Sequence, residues 1–267
     1  MPRANRFHLP GHAWHITHRC HRREFLLKFA RDRRRWRYWL FQARKRYGLC
    51  VLSYIVTSNH IHLLVLDRGK DEIARSMQLI AGRTAQEYNQ RKQRRGAFWE
   101  DRYHATAVDT EGYLARCMVY IDLNMVRAGV VTHPAEWEVC GYQELRDPSA
   151  RYRVVDFGAL MDLLGIDELS QLQNLYASWI NEGLSAENSL RDSRWTESLA
   201  VGSKAFVEQF QSQSGSAAAH RKQLQDGSGY RLCETAASYN GNFGVETGTL
   251  SAENTVFLDD QFGISVG

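Results

Sequence analysis

Proline is scarce in this chain, with 4 in 267 residues, and no apolar run approaches membrane length. Leu63-Leu64-Val65-Leu66 is typical of its apolar stretches, against the roughly 18 residues that a spanning helix requires, so no membrane segment is expected. Five cysteines, at positions 20, 50, 117, 140 and 233, are odd in number and form no CxxC pair. A disulfide scaffold and a thiolate zinc site are thereby excluded, and free thiols in a reducing cytoplasm are expected. The N-terminus Met1-Pro2-Arg3-Ala4-Asn5-Arg6 lacks the apolar core of a secretory signal. Acidic residues are almost missing from the first fifty positions, 2 against 14 Lys and Arg.

That last absence extends into an asymmetry. Residues 1–150 hold 26 Lys and Arg against 15 Asp and Glu, whereas residues 151–267 hold 8 against 15. The runs Arg31–Arg37, Arg44-Lys45-Arg46 and Arg91–Arg95 are interleaved with Trp36, Trp39, Tyr88, Phe98, Trp99 and Tyr103. Basic side chains contact phosphate and flat rings stack on bases, so a single-stranded nucleic-acid partner is the natural reading of the N-terminal part. A solvated helix face is the competing account of any one such run. With 43% hydrophobic and 11% aromatic residues, the chain can bury a core.

The apolar spacing predicts strand 13–19, helix 30–47 closed by Gly48, strand 49–56, a turn at Thr57-Ser58-Asn59, strand 60–66, and a helix opening at Asp71. A strand over 104–108 and a helix from Tyr113 to about Arg127 follow. The order β-α-β-β-α-β-α points to an α+β fold, ferredoxin-like (RRM-like), with an antiparallel sheet and helices on one face, over residues 1–150. Amphipathic helices are expected at 156–165, 168–182 and 195–211, giving a helical C-terminal extension over 151–211. Ser, Gly, Asn and Ala without period suggest a flexible tail over 212–267.

The sharpest local feature is Asn59-His60-Ile61-His62-Leu63. Side chains alternate across a strand, so His60 and His62 share one face and supply half of a metal site. HxH alone is weak, because most strand histidines are surface or hydrogen-bonded core residues, and a third ligand is needed. In Val119-Tyr120-Ile121-Asp122-Leu123-Asn124-Met125-Val126-Arg127-Ala128-Gly129, Tyr120 and Asn124 are i and i+4 and address one site. A tyrosine nucleophile beside a metal-bound phosphate is one coherent reading; a core aromatic followed by a helix-end amide is the other.

Asn59-His60-Ile61-His62-Leu63-Leu64 followed some sixty residues later by Tyr120–Gly129 resembles the REP-associated tyrosine transposases, relatives of the single-strand insertion-sequence transposases among the HUH endonucleases. Further matching residues are Met1-Pro2-Arg3, Pro10-Gly11, His15-Ile16-Thr17-His18-Arg19 and Phe98-Trp99-Glu100-Asp101-Arg102-Tyr103. The likeness covers about residues 1–145 and continues weakly into Trp195–Val207, where a structural or docking role is expected over a helix-turn-helix. Thr57-Ser58 stand where the family often has Met-Pro, Cys20 where Gly is usual, and Met125 where Pro is common. These departures touch turn geometry and DNA register rather than ligands or nucleophile.

The resemblance implies Tyr120 as nucleophile, His60, His62 and Asn124 as ligands of Mg²⁺ or Mn²⁺, and a 5′-phosphotyrosine adduct with a free 3′-hydroxyl. The implied partner is single-stranded DNA with a palindromic REP-type hairpin, handled in the bacterial cytoplasm at the nucleoid by a monomer, with a dimer the alternative. Arg3, Arg6, Arg19, Arg23, Arg83, Arg102, His104 and Arg127 are the candidate DNA contacts, Arg127 being equally a cap for the tyrosine helix. Competing readings are a non-catalytic nucleic-acid-binding module or repressor of the same fold, and a metal hydrolase using activated water.

Overall fold

The computed structural model describes residues 8–233 apart from 111, 149–151, 186–191, 216, 217, 219, 220 and 228. Arg3, Arg6 and the expected tail beyond 233 lie outside the described residues. Strand β1 (Ala13–Arg19) leads through a loop to α1 (Ala30–Tyr47), which stops at Gly48 in the left-handed conformation, φ 71°. There follow β2 (Cys50–Val56), β3 (His60–Leu66), α2 (Glu72–Arg91), β4 (His104–Val108), α3 (Tyr113–Asp122) and α4 (Asn124–Arg127). The strands pair antiparallel in the order β2-β3-β1-β4, the ferredoxin-like arrangement.

Alternation along these strands sorts the residues between two faces. Ile16, His18, Ile61 and Leu63 point toward α1 and α2: Trp36 of α1 packs near Tyr54, with ring centroids 6.5 Å apart, and His18 stacks on Trp99, whose Nε1 donates to the Ala81 carbonyl of α2. His15, Thr17, His62 and Thr106 point the other way, and that face is covered as well, by α3 and the C-terminal elements.

The C-terminal elements are α5 (Gly141–Arg146), α6 (Phe157–Leu164), α7 (Leu169–Ser185), α8 (Arg194–Glu197), β5 (Ser198–Gly202), α9 (Lys204–Gln213), β6 (Lys222–Asp226) and β7 (Gly229–Cys233). They extend the sheet to seven strands, β2-β3-β1-β4-β5-β7-β6. Two expectations are corrected here. Residues 195–211 form two helices split by β5, because the short run Ser-Leu-Ala-Val-Gly pairs parallel with the β4 edge, Ala107 opposite Ala200, and satisfies backbone groups there. A Cβ on Gly202 would come within 2.5 Å of the Asp109 Cβ, so only glycine permits that approach; Ser203, which donates to Asp109 at 2.8 Å, then caps α9. Likewise 222–233 is not loose chain but a β6-β7 hairpin turning at Gly227, φ 60°. Its exposed polar outer strand hides the alternation in the sequence.

The basic runs have a mostly structural use. Arg34 pairs with Glu138 at 2.6 Å, Arg37 with Glu144 at 3.0 Å, Arg94 with Glu24 at 3.2 Å, Arg35 with Glu87, and Arg91 with Asp32. Trp36, Trp39 and Phe98 are buried, which removes them from base stacking. Among the described residues, no helix is long and apolar enough to cross a membrane.

Candidate functional site

The site lies where β3 faces the end of the tyrosine helix. His60 and His62 are successive residues on one face of β3, with ring centroids 4.9 Å apart at 78°. Thr17 and Arg19 of β1 stand opposite His62 and His60. From the other side, α3 brings in Tyr120, buried, with its ring 5.7 Å from that of His62 and nearly perpendicular to it. The expected single helix breaks at Leu123, which has φ −78° and ψ 3°, and restarts as α4. Asn124 at that restart donates from Nδ2 to His62 Nε2 at 2.9 Å. The i, i+4 relation between Tyr120 and Asn124 thus survives the break.

The protons on these rings can be assigned by following the hydrogen bonds. His15 on β1 is fully buried and its pKa falls to about 3, chiefly because burial penalises the charged ring, so it is neutral. Its Nδ1 lies 2.7 Å from the Trp195 carbonyl, which only accepts; Nδ1 therefore carries the proton and Nε2 the lone pair. His15 Nε2 lies 2.9 Å from His62 Nδ1, so His62 donates from Nδ1 and presents a lone pair at Nε2, the nitrogen facing Asn124. Burial, followed by the neighbouring His60, pushes the His62 pKa well down and keeps that ring neutral too. His60 Nδ1 lies 2.6 Å from Asn59 Oδ1 and 3.0 Å from Thr57 Oγ1, whose own proton goes to the His60 carbonyl, so His60 likewise keeps its lone pair on Nε2.

Two neutral imidazoles with Nε2 lone pairs and an amide whose Oδ1 is a ligand-type oxygen make a donor set that fits a divalent cation. Among the described residues no group of three His, Cys, Asp or Glu could hold a metal, and Asn124 is the third donor that the family resemblance implies.

The candidate DNA contacts separate. Arg19 sits at the His60 end of β1, and Arg23, φ 59°, follows in a loop whose Arg23 carbonyl accepts from Asn59. Arg127 lies over the Tyr120 ring, 4.3 Å from its centroid, and donates to the Tyr120 carbonyl, the capping role anticipated for it. Arg83 is on α2 over Trp39, in the opposite layer. Arg102 is exposed ahead of β4, and His104 bonds through Nε2 to the Ser198 carbonyl at 3.0 Å. Neither His15, named only among the family-matching residues, nor Trp195, expected in a structural or docking segment, was placed in the site by the sequence. His15 is in phase with Thr17 and Arg19, but its meeting with His62 depends on strand register, and a backbone carbonyl 180 residues away leaves no sequence signal.

Residues 9–124 match the family model described as IS200-like transposase. Over that stretch, a little under half of its length, the chain is similar to the IS200-like transposases. Among solved structures it is similar to a REP-associated tyrosine transposase bound to a REP hairpin, at 19% identity and TM-score 0.46, over 60% of this chain and 96% of that one. It is also similar to a Deinococcus radiodurans R1 protein described as a transposase, at 17% identity and TM-score 0.33, over 43% and 92%. No curated protein matches the chain. The family stretch ends at Asn124 and so contains Tyr120, His60 and His62, while Arg127 and Trp195 lie beyond it.

Proposed function

We propose that this chain is a metal-dependent single-stranded DNA endonuclease and strand transferase acting on hairpin DNA of the REP type through Tyr120. The observation that carries the reading is the meeting of Tyr120 and Asn124, from one helix end, with His62 on β3: ring centroids 5.7 Å apart and an Asn124–His62 bond of 2.9 Å. His60, His62 and Asn124 would hold Mg²⁺ or Mn²⁺. A divalent cation there supplies neutralisation of the phosphate charge that otherwise repels a nucleophile. Two imidazoles make the set softer than an all-oxygen magnesium site, so Mn²⁺ serves at least as well as Mg²⁺.

Tyr120 supplies the attacking oxygen. Its Oη forms a bond to the scissile phosphorus as the bond from phosphorus to the 3′-oxygen breaks, and the phenol's proton balances the departing 3′-alkoxide. The products are a 5′-phosphotyrosine and a 3′-hydroxyl. Because the adduct conserves the phosphodiester, a 3′-hydroxyl attacking the phosphotyrosine rejoins DNA and releases the phenol. Arg127, stacked on the ring and bonded to the Tyr120 backbone, fixes the nucleophile's direction. Arg19 and Arg23 offer positive charge for the backbone at the His60 end.

The test is a denaturing gel of the protein with labelled single-stranded hairpin DNA, in Mn²⁺ and in chelator, beside Tyr120→Phe. A metal-dependent, protease-sensitive shifted band that the variant lacks is expected. Metal-dependent cleavage without an adduct, surviving in Tyr120→Phe, would instead indicate an activated-water hydrolase, and hairpin binding with neither cleavage nor adduct a non-catalytic module.

A further inference from the structure

The geometry points to His15 and the backbone carbonyl of Trp195 as positioning groups that set the tautomer of His62, so that the segment 193–202, outside the family-matched stretch, completes the site. This rests on the reading of His62 as a metal ligand. A ligating imidazole has to present an unprotonated nitrogen, and which nitrogen that is depends on the bond made by the other. At His62 the other nitrogen is Nδ1, 2.9 Å from His15 Nε2 with the two rings parallel and 5.0 Å apart. His15 can accept that proton only because its own proton is drawn to Nδ1 by the Trp195 carbonyl at 2.7 Å. Were the Trp195 carbonyl displaced, His15 could turn its proton to Nε2, and His62 would then carry its own proton on the nitrogen that faces Asn124.

The carbonyl is held in turn. Trp195 is buried in α8, the last helical turn before β5, and β5 is locked to the sheet by parallel pairing with β4 and antiparallel pairing with β7. Thr106 Oγ1 donates to the Ser198 carbonyl at 2.7 Å and His104 bonds to the same oxygen at 3.0 Å. The Trp195 ring also lies 6.2 Å from that of Tyr120. Residues 193–202 are therefore built against the nucleophile and the ligand pair together, which exceeds the structural or docking role expected of them.

The experiment uses the full chain with ¹⁵N-labelled histidine, metal-free, at neutral pH. His62 is identified by the resonance lost in His62→Gln, and its tautomer is read from the two ring-nitrogen shifts. Wild type should show the Nδ1–H form. His15→Phe, which keeps ring volume and removes both hydrogen-bonding atoms, should lose that preference and bind Mn²⁺ about 10–100-fold more weakly by titration. His15→Gln, whose amide can accept from His62 and donate to Trp195, should recover both. A wild-type His62 in the Nε2–H form overturns the inference, as does a folded His15→Phe with unchanged tautomer and Mn²⁺ affinity. If His15→Phe does not fold, the wild-type tautomer and the Gln variant still decide. A wild-type protein with the Nδ1–H tautomer, sensitive to His15, that binds no Mn²⁺ supports the relay and removes the metal reading instead.

Discussion

Arg127 covers the face of the Tyr120 ring, 4.3 Å from its centroid, while its guanidinium donates to the Tyr120 backbone carbonyl. Two contacts from one planar group fix both the helix end and the phenol plane. Arg127→Lys keeps the charge but loses the stacked fork, so adduct formation should slow by about tenfold while hairpin affinity changes little. Single-turnover adduct formation measured beside a binding titration checks this; equal loss in both would make Arg127 a phosphate contact.

Asn124 supplies the one neutral oxygen in the proposed ligand set. Replacing it with aspartate adds a charge and a harder donor, which favours magnesium. Asn124→Asp should raise the cleavage rate in Mg²⁺ relative to Mn²⁺ by several-fold, and Asn124→Ala should weaken Mn²⁺ binding by about tenfold. A ratio of Mg²⁺ to Mn²⁺ rates that is the same in all three proteins would remove Asn124 from the set.

How far the sequence carried the fold differs by region. Period-two and period-3.6 patterns fell on β1, β3, β4 and α1 at their observed bounds, α1 because Gly48 ends it in the left-handed conformation and β3 because the Thr57-Ser58-Asn59 connection precedes it. The meeting of His62 with Asn124 was legible only through the family resemblance, because HxH and the i, i+4 spacing left a core aromatic followed by a helix-end amide as the other reading. Beyond residue 195 the pattern failed for a physical reason. Trp195, Leu199, Phe206 and Phe210 have helical spacing, but the unpaired edge of β4 draws Ser198–Gly202 into the sheet, a tertiary effect that outweighs local propensity. The arginine-rich α1 was legible as charge but not as charge already matched, because Glu87, Glu138 and Glu144 reach it from distant elements.

Close helix packing behind Tyr120 makes a stability prediction. A Cβ on Gly183 of α7 would lie 2.7 Å from Leu123 Cδ1 at the end of the tyrosine helix and 2.9 Å from Val119 Cγ1 within it, whereas one on Gly82 of α2 meets nothing within 4 Å. Gly183→Ala should therefore destabilise by about 1–3 kcal/mol through overpacking, and Gly82→Ala should stabilise by about 1 kcal/mol through helix propensity. Denaturant unfolding of both variants beside wild type checks the opposite signs.

Buried titratable groups fix the direction of the pH dependence. His15 and His18 have folded-state pKa values pushed down by burial to about 3 and about 4, from an ordinary 6.5. Below 6.5 the unfolded chain binds protons that the folded chain refuses, so stability falls with pH from there by up to about 1.4 kcal/mol per unit for each ring. Asp122, buried and bonded to the Tyr176 hydroxyl, is raised by burial to about 7 from 3.8. Its folded form keeps the proton, so its contribution is full at low pH and is lost as pH rises toward 7. The two histidines outweigh one aspartate in the acid range and the opposing effects offset near neutrality, so stability rises with pH to a plateau from about pH 6.5. Urea unfolding at pH 5, 6.5 and 8 should show it, with His18→Phe flattening the acid limb and Asp122→Asn letting stability continue to rise from pH 6.5 to 8. Equal stability at pH 5 and 6.5 would contradict the burial of these rings as neutral groups.

The two sides of the sheet should respond differently to charge removal. Arg19 stands opposite His60 on the face that holds Tyr120, whereas Arg83 lies on α2 over Trp39 in the layer behind. Single-stranded DNA whose phosphate reaches Tyr120 runs along the first face, and a sheet with packed helical layers on both sides gives its backbone no route to the second. Each phosphate contact releases condensed counterion, so losing one lowers the slope of log affinity against log salt by roughly 0.7 for a single strand. Arg19→Gln should therefore weaken hairpin binding and flatten its salt dependence by about that amount, and Arg83→Gln should change neither. The pairing matters because both substitutions alter net charge equally. A general electrostatic attraction would shift the two together, and only a contact made on the Tyr120 face separates them.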